Sequence, residues 1–280
     1  MVTGNRTAIV YDFDGTLARG NIQEVSFIPQ VGMTRQDFWS EVKTKAKECD
    51  GDEILIYLNL MLEKAKHAKI EVTKEQLSSH GRDAKLFDGL VDGSWFDRTS
   101  AFAAQRGLTL EHYIISSANY ELIQGCPIFP KFTKVFASSY MYDTSGNAIW
   151  PSVAINYTTK TQFLFRINKG IESIWNNDAV NAFMPEEERP IPFKRMIFIG
   201  DGDTDIPAMK MVTYKEGHSV AVYDPARDKS SLQKIHRLIS DDRVDFVAAA
   251  DYSSDSQLDI IIRGILGRIA RAEGYRPPKD

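Results

Sequence analysis

Residues 8–20, Ala-Ile-Val-Tyr-Asp-Phe-Asp-Gly-Thr-Leu-Ala-Arg-Gly, decide how this chain folds. An apolar run leads directly into two aspartates, Asp12 and Asp14, and Gly15 follows them. This pattern predicts a short buried strand, Thr7 to Phe13, which is broken at the glycine. Two carboxylates so close in the chain repel each other unless a positive charge lies between them. The stretch therefore predicts a strand end that holds something positive.

Composition limits the classes of protein that this chain can belong to. It has 280 residues, 43% of them hydrophobic, which is enough for one large domain or a core with an inserted module. The net charge is −4, from 34 basic and 38 acidic residues, so no charge excess points to a nucleic-acid or membrane partner. Acidic side chains can instead serve a metal site.

Cysteine usage and the N-terminus predict the compartment. Cys49 and Cys126 lie far apart and match no metal-ligand spacing or disulfide framework. The first residues, Met-Val-Thr-Gly-Asn-Arg, lack the apolar core of a signal peptide, and no uncharged apolar run is long enough to span a bilayer. We therefore expect a soluble cytoplasmic protein.

Short apolar strands alternate with helical segments along most of the chain. This alternation predicts an α/β fold, a Rossmann-like, doubly wound, mostly parallel sheet with helices on both faces. Three predicted strands end in polar clusters, at Asp12/Asp14, at Ser116/Ser117 and at Asp201/Asp205. Because ligands bind beyond the carboxyl ends of such strands, these clusters predict the functional site.

The segment 18–92 differs in character from the rest. Thr34 and Thr73 each precede helical patterns, the second with capping-box spacing, and an apolar stripe begins at Ile54. We predict that 18–92 is a helical module with its own small core, inserted into a larger domain made of 1–17 and 93–280.

The aspartates predict a metal. If the strands that precede Asp12 and Asp201 are neighbours, several carboxylates converge and need a cation. Hard oxygen ligands suit Mg²⁺, which takes one or two carboxylates and keeps waters and a substrate phosphate. A rigidly held Asp12 facing a phosphate can act as nucleophile, and Asp14 can protonate the leaving oxygen and later activate water.

These motifs resemble those of the haloacid dehalogenase superfamily, in particular its phosphatase branch. Asp12-Phe-Asp14-Gly-Thr16 matches the first motif, Ile114-Ile-Ser116 resembles the second, and Gly200-Asp201-Gly-Asp-Thr-Asp205 resembles the fourth. The resemblance implies that Asp12 is nucleophile and metal ligand, that Asp14 is acid/base and metal ligand through its carbonyl, and that Asp201 is a metal ligand. It implies that Asp205 orients Asp201 or a water at the metal.

The sequence offers two serines and two lysines as candidate phosphate-binding groups. Ser116 directly follows an apolar run and is the predicted phosphate ligand, while Ser117 is suited to cap the helix that includes Tyr120.

Two lysines compete for the third motif of the family, which is one lysine that binds the nucleophile and the phosphate. Lys160 follows Thr159, whose capping-box spacing predicts a helix start, where a cation requires a compensating anion. Lys169 precedes Gly170, where a lysine suits a helix C-terminus. We therefore favour Lys160.

By this resemblance the chain is a Mg²⁺-dependent phosphatase that acts on a small phosphorylated metabolite through an aspartyl-phosphate. The helical segment resembles the cap of the phosphoserine-phosphatase-like branch. Phosphoserine phosphatases usually carry an acidic residue soon after the first motif, and the sequence does not place Glu24 in the pocket, so an amino-acid substrate does not follow. The alternatives are haloacid dehalogenation, against which Asp14 argues, phosphonate cleavage with a cap lysine, Lys43, Lys45 or Lys47, and a relict binding module.

Overall fold

The computed structural model describes residues 5–202, 204–226 and 236–276. Its centre is a seven-stranded sheet in the order β4-β3-β2-β1-β5-β6-β7. Every neighbouring pair is parallel except β3 and β4, which are antiparallel. The strands are β1 Arg6–Tyr11, β2 Thr109–Asn119, β3 Lys134–Tyr142, β4 Ala148–Val153, β5 Met196–Gly200, β6 His218–Tyr223 and β7 Phe246–Ala249. The predicted α/β fold is confirmed.

Strand β1 occupies the middle of the sheet because its apolar residues are covered on both faces. Residues 8–11 are fully buried, as expected of a central parallel strand. Tyr11 pairs with Ile114 of β2 on one side and with Ile199 of β5 on the other. The carboxyl ends of the three strands are therefore level, at the point where the strand order reverses. In open α/β sheets, this is where ligands bind.

Helices cover both faces of the sheet. The helices are α1 Phe27–Gln30, α2 Arg35–Glu48, α3 Glu53–His67, α4 Lys74–Gly81, α5 Ser94–Ala104, α6 Tyr120–Gln124, α7 Lys160–Lys169, α8 Asn177–Asn181, α9 Ile206–Tyr214 and α10 Gln257–Ala272. Helices α5 and α10 pack together, as do α7 and α9. Two apolar clusters are buried under them, one containing Ile9 and Tyr11 and the other Ala8 and Val10. Alternate residues of β1 therefore point to opposite faces of the sheet and pack in different clusters.

The segment after Asp14 is helical, as predicted, and contains α1 to α4. Thr34 caps α2, and a capping box at Thr73 begins α4. The expectation of a separate small core is wrong, because one continuous apolar cluster joins Leu58 and Met61 of α3 to the sheet. Tyr140 of β3 also donates a hydrogen bond to the Leu58 carbonyl oxygen at 2.8 Å. The division into a cap, 18–92, and a core stays a prediction.

Within the part of the chain that the structure describes, the helices are too short or too polar to cross a membrane.

Candidate active site

Asp12 is the first residue after β1, which ends at Tyr11 and not at Phe13 as predicted. Its backbone N–H still donates to the Ile199 carbonyl oxygen of β5 at 2.9 Å, which fixes the residue to two strands at once. The Asp12 side chain is almost completely buried, with 4% of the residue exposed. A carboxylate held this rigidly points in one direction only.

Asp14 lies in the turn that follows, and its side chain faces the same cavity as Asp12. The Ile22 backbone N–H donates to Asp14 Oδ1 at 2.9 Å and so fixes the carboxyl group. Burial, followed by the nearby negative charge of Asp12, raises the pKa of Asp14 well above its usual range. The protonated form of Asp14 is favoured, which is the form that an acid catalyst requires.

Gly15 allows the first and fourth motifs to approach each other. Its φ is +74°, a left-handed conformation that glycine adopts without steric cost. A Cβ atom at this position would lie 2.8 Å from Asp201 Oδ2. The glycine therefore meets two requirements at once, the turn after Asp14 and the close packing of Asp201 against it.

Asp12, Asp201 and Asp205 form a compact group of carboxylates. One oxygen from each lies within 4.8 Å of the others. Gly200 makes this possible, because a Cβ there would lie 2.2 Å from Asp205 Oδ2. Asp205 is fully buried, and burial raises its pKa in spite of the neighbouring lysine. Asp203, between Asp201 and Asp205 in the sequence, lies outside the described residues.

The group fits a divalent cation. The buried Asp12 Oδ1 lies 3.0 Å from the Lys160 ammonium, and that one cation does not balance three carboxylates whose oxygens lie within 4.8 Å of one another. The donors are hard carboxylate oxygens, the ligand type that Mg²⁺ prefers. Asp12 and Asp201 offer side-chain oxygens directly to such an ion.

Lys160 lies between two of these carboxylates. Its ammonium Nζ is 3.0 Å from Asp12 Oδ1 and 2.7 Å from Asp205 Oδ1, and it also donates to Thr204 Oγ1 at 3.1 Å. The residue is fully buried. Burial opposes the charge on Lys160, but Asp12 and Asp205 outweigh it and hold its pKa above the ordinary value. The ammonium puts a positive charge at the end of β1, beside Asp12.

The start of α7 differs from the prediction. Thr159 does not cap the helix with its side chain. The reciprocal arrangement lies one turn earlier, where Asn156 Oδ1 accepts from the Thr159 N–H at 3.0 Å and Thr159 Oγ1 accepts from the Asn156 N–H at 2.8 Å. Asparagine is among the strongest N-cap residues, so it displaces threonine here. Lys160 nevertheless occupies the first turn of α7.

Lys169 lies at the other end of α7. Its ammonium donates to the carbonyl oxygens of Val180 and Ala182 at 2.7 Å and 2.6 Å. Gly170 ends the helix in the left-handed conformation. Lys169 therefore holds the segment that follows α7, and the structure brings Lys160, rather than Lys169, to Asp12.

Ser116 and Ser117 end the regular pairing of β2, and both line the cavity. Ser116 is 1% exposed, and its Oγ accepts from the Ala118 N–H at 3.2 Å. The expectation that Ser117 caps α6 is wrong, because Asn119 Oδ1 accepts from the Leu122 N–H instead. Ser117 Oγ is buried and makes no hydrogen bond within the described residues.

Solved structures share this architecture at low sequence identity. A haloacid dehalogenase (HAD) family hydrolase from Salmonella enterica serovar Typhi superposes with a TM-score of 0.57 at 15% identity, over 94% of this chain and 71% of that chain. A phosphoserine phosphatase, solved as a phospho-aspartyl intermediate analogue, gives a TM-score of 0.52 at 14% identity, over 93% and 99%. A probable phosphoserine phosphatase from Vibrio cholerae gives 0.58 at 12% identity, over 98% and 69%.

The chain has the haloacid dehalogenase-type fold. Sequence comparison alone is less informative. No protein-family model matches the chain. An uncharacterized protein of Borreliella burgdorferi is 28% identical over 281 residues, covering 91% of this chain and 94% of that protein.

In this haloacid dehalogenase-type fold, a cavity of about 870 Å³ lies over the carboxyl ends of the strands. Asp12, Asp14 and Asp201 form its floor. The facing wall comes from the helical segment, with the residues Asn21, Gln23, Glu24, Arg35, Gln36, Trp39, Ser40, Lys43, Glu53, Ile54 and Tyr57. This volume is in the range of small-molecule sites.

Sequence analysis missed most of this wall. Tyr57 donates from its hydroxyl to the Ser117 carbonyl oxygen at 2.6 Å and so ties α3 to the end of β2. Trp39 packs against Tyr57 with ring centroids 5.7 Å apart. The signal available in the sequence was the i, i+4, i+8 spacing of Arg35, Trp39 and Lys43, which puts them on one face of α2.

Glu24, which the sequence could not place, does line the cavity, but three donors occupy its carboxylate. Trp39 Nε1 and Asn21 Nδ2 donate to Oε1 at 2.6 Å and 2.7 Å. Arg35 Nε lies 3.0 Å from Oε2. Glu24 is therefore a charge-compensated part of the wall, because Arg35 pairs with it and two further donors bind its carboxylate.

Proposed function

We propose that this chain is a Mg²⁺-dependent phosphatase that hydrolyses a small phosphomonoester through an aspartyl-phosphate. The observation that carries the proposal is the position of Lys160, fully buried and 3.0 Å from Asp12, beside carboxylates from a second strand. A nucleophilic carboxylate next to a fixed cation and a metal-binding group suits attack on a phosphate dianion. The fold shared with HAD-family hydrolases and phosphoserine phosphatases supports the same reaction class.

Asp12 is the proposed nucleophile. One of its carboxylate oxygens forms a bond to phosphorus while the bond from phosphorus to the ester oxygen breaks. The hydrogen bond from its backbone to Ile199 keeps the side chain aimed at the cavity during this step. Such positioning contributes much of the rate acceleration in phosphoryl transfer.

Asp14 is the proposed acid and base. Its proton goes to the departing ester oxygen, which leaves as the alcohol. Asp14, now ionised, then accepts a proton from the water that attacks the phosphorus of the intermediate, and inorganic phosphate and free Asp12 result. The Ile22 N–H holds the carboxyl group in place for both transfers.

Lys160 and Ser116 are the proposed ligands of the phosphate oxygens. The Lys160 ammonium offsets the charge of Asp12 before attack and that of the transferring phosphoryl group during it. Ser116, buried at the end of β2, accepts from the Ala118 N–H and can donate its hydroxyl hydrogen to a phosphate oxygen. Asp205 keeps Lys160 in position through its 2.7 Å contact.

Mg²⁺ would be held by the side chains of Asp12 and Asp201 and by the Asp14 carbonyl oxygen, and it would neutralise phosphate charge at the reacting centre. Because the cluster is small and acidic, we expect activity to depend strictly on a divalent ion.

The direct test is a screen of purified protein over a panel of phosphorylated metabolites and p-nitrophenyl phosphate, with Mg²⁺ and again with EDTA. Turnover that EDTA abolishes and added Mg²⁺ restores supports the proposal. Turnover that is unaffected by EDTA, or no turnover of any substrate by folded protein, contradicts it and favours a relict binding module.

A cap lysine keeps phosphonate cleavage as a second candidate. Lys43 lines the cavity, whereas Lys45 is paired with Glu63 at 2.8 Å. A Schiff base with a carbonyl-bearing phosphonate would require the Lys43 amine. Treatment with borohydride and phosphonoacetaldehyde, compared between the wild type and Lys43→Met, separates the two functions, because a phosphatase needs neither the amine nor a carbonyl.

A further inference from the structure

Gln23 is a buried polar side chain with an unmet hydrogen bond at the wall of the cavity. It is 2% exposed, and its Oε1 has no hydrogen-bond partner among the described residues. A buried carbonyl oxygen without a partner is costly to the fold, so this oxygen requires a donor, either an ordered water or a bound ligand. Gln23 lines the same cavity as Asp12 and Asp14.

The position of Gln23 fixes which part of a substrate it meets. The preceding residue, Ile22, donates its N–H to Asp14 Oδ1 at 2.9 Å. If Asp14 protonates the leaving oxygen, Gln23 lies beside the first carbons of the leaving alcohol. The turn Ile22–Glu24 also packs against β2, whose end carries Ser117, a second cavity residue with a buried hydroxyl that makes no hydrogen bond within the described residues.

The charges of the wall argue against a cationic substituent at this point. An ammonium group would require an uncompensated carboxylate nearby, but Glu24, the residue next to Gln23, already accepts hydrogen bonds from Trp39 and Asn21 and pairs with Arg35. The other glutamate of the wall, Glu53, accepts from the Tyr157 hydroxyl at 3.3 Å. A carboxylate substituent is disfavoured as well, because Gln23 Oε1 is an acceptor and needs a donor opposite it. A hydroxyl group both donates and accepts, so it satisfies the carboxamide in either orientation.

We propose that Gln23 and Ser117 form a subsite for a hydroxyl group on the leaving alcohol, so that the substrate is an uncharged hydroxylated alcohol phosphate, of the polyol or sugar class. This inference rests on the proposed phosphatase function and specifies its substrate. Gln23 and Ser117 bind the hydroxyl, and the Trp39 and Tyr57 rings supply an apolar wall for the carbon skeleton.

Four two-carbon phosphates provide the sharpest test, because they differ only in the terminal group. They are 2-hydroxyethyl phosphate, ethyl phosphate, phosphoethanolamine and phosphoglycolate. We expect kcat/KM for 2-hydroxyethyl phosphate to exceed each of the others by about tenfold or more, since sites built around a hydroxyl reject analogues that lack it. Equal values, or a preference for the ammonium or carboxylate compound, would overturn the subsite and leave the phosphatase intact.

Variants assign the preference to Gln23. Gln23→Leu should remove the preference, so that within this variant kcat/KM for 2-hydroxyethyl phosphate falls to the value for ethyl phosphate, and Gln23→Glu should shift the preference toward phosphoethanolamine. Gln30→Leu, on the exposed end of α1, is the matched control and should behave as wild type. A preference that survives Gln23→Leu overturns the assignment.

The outcomes of this experiment distinguish a failure of the hydroxyl subsite from a failure of the proposed phosphatase function. If wild-type protein turns over neither these compounds nor p-nitrophenyl phosphate, the proposed function fails, and the subsite fails with it. The comparison of the four compounds needs only wild-type protein, so it decides the substrate class even if a Gln23 variant does not fold.

Discussion

The ammonium of Lys160 lies 3.0 Å from the carboxylate of Asp12. The contact joins the first turn of α7 to the end of the central strand, across 148 positions of sequence. Asp205 holds the other side of the same ammonium at 2.7 Å, so one buried cation separates two buried carboxylates. This arrangement has consequences for both stability and turnover.

Lys160→Ala should lower turnover of p-nitrophenyl phosphate by roughly a hundredfold or more, as removal of one preorganised charge at a reacting centre does. It should also lower stability by about 3–5 kcal/mol, because Asp12 and Asp205 lose the cation buried between them. Steady-state kinetics and urea unfolding measure the two effects separately.

Lys169→Ala is the matched control. It removes the hydrogen bonds to Val180 and Ala182 and should cost about 1 kcal/mol of stability with almost no change in activity. If Lys169→Ala is the inactive variant and Lys160→Ala is active, the assignment of the catalytic lysine is wrong.

Asp12→Asn should abolish turnover and leave the protein folded. The amide cannot attack phosphorus, and it is not an anionic ligand for a metal. Far-UV circular dichroism and activity with p-nitrophenyl phosphate check both statements. Retention of more than a few per cent of the activity, as an order-of-magnitude limit, would refute the aspartyl-phosphate mechanism.

Asp14→Asn should slow the second half of the reaction more than the first. A good leaving group departs without protonation, so phosphoryl transfer to Asp12 proceeds, but water then lacks its base. Rapid mixing with p-nitrophenyl phosphate should show a burst of nitrophenolate close to one equivalent, followed by slow turnover. The absence of a burst together with normal steady turnover would remove Asp14 from the mechanism.

The floor of the site could be predicted from sequence because its residues follow strands directly. Asp12 and Asp201 each come after a buried apolar run, and parallel strands end at one edge of a sheet. The N-cap of α7 was harder to predict than the floor. Asn156 and Thr159 both begin capping patterns, and local geometry decides between them. Competition of the same kind made Asn119, and not Ser117, the cap of α6.

The wall of the cavity could not be predicted, since it depends on how the helical segment rests on the sheet. Nothing in the sequence distinguishes Gln23 and Trp39 from other residues of a turn and a helix. Tertiary contacts, such as those from Tyr57 to the Ser117 carbonyl and from Tyr140 to the Leu58 carbonyl, hold this segment against the site. No local pattern encodes a contact between residues 60 positions apart.

Gly15→Ala should reduce activity and metal affinity by moving Asp201, because the new Cβ would lie 2.8 Å from Asp201 Oδ2. Gly107→Ala is a close control, since both glycines have a φ of +74° but nothing lies within 4 Å of a Cβ at Gly107. Both variants should lose about 1–2 kcal/mol of stability from backbone strain. Activity and Mg²⁺ titration distinguish them, and equal activity in both variants would show that the Gly15 contact does not matter.

Stability should fall as the pH is lowered, in part through His112. This residue is buried beside Tyr11 and Ser100, whose hydroxyls lie 3.1 Å and 3.2 Å from its two ring nitrogens. Burial lowers the pKa of His112 from 6.5 to about 4. The folded protein therefore keeps His112 neutral between these values, whereas the unfolded chain binds a proton.

The consequence is a loss of unfolding free energy that is confined to acid pH. The contribution of His112 is fully present above pH 6.5 and is lost progressively down to about pH 4, by about 3 kcal/mol in total. His112→Gln keeps an acceptor for Tyr11 but cannot be protonated. Urea unfolding at pH 7.5 and pH 4.5 should therefore show a smaller loss of unfolding free energy in the variant than in the wild type. His80 and His218, whose pKa values burial also lowers, remain in both proteins and cancel in the comparison. An identical loss in the two proteins would assign the acid sensitivity to groups other than His112.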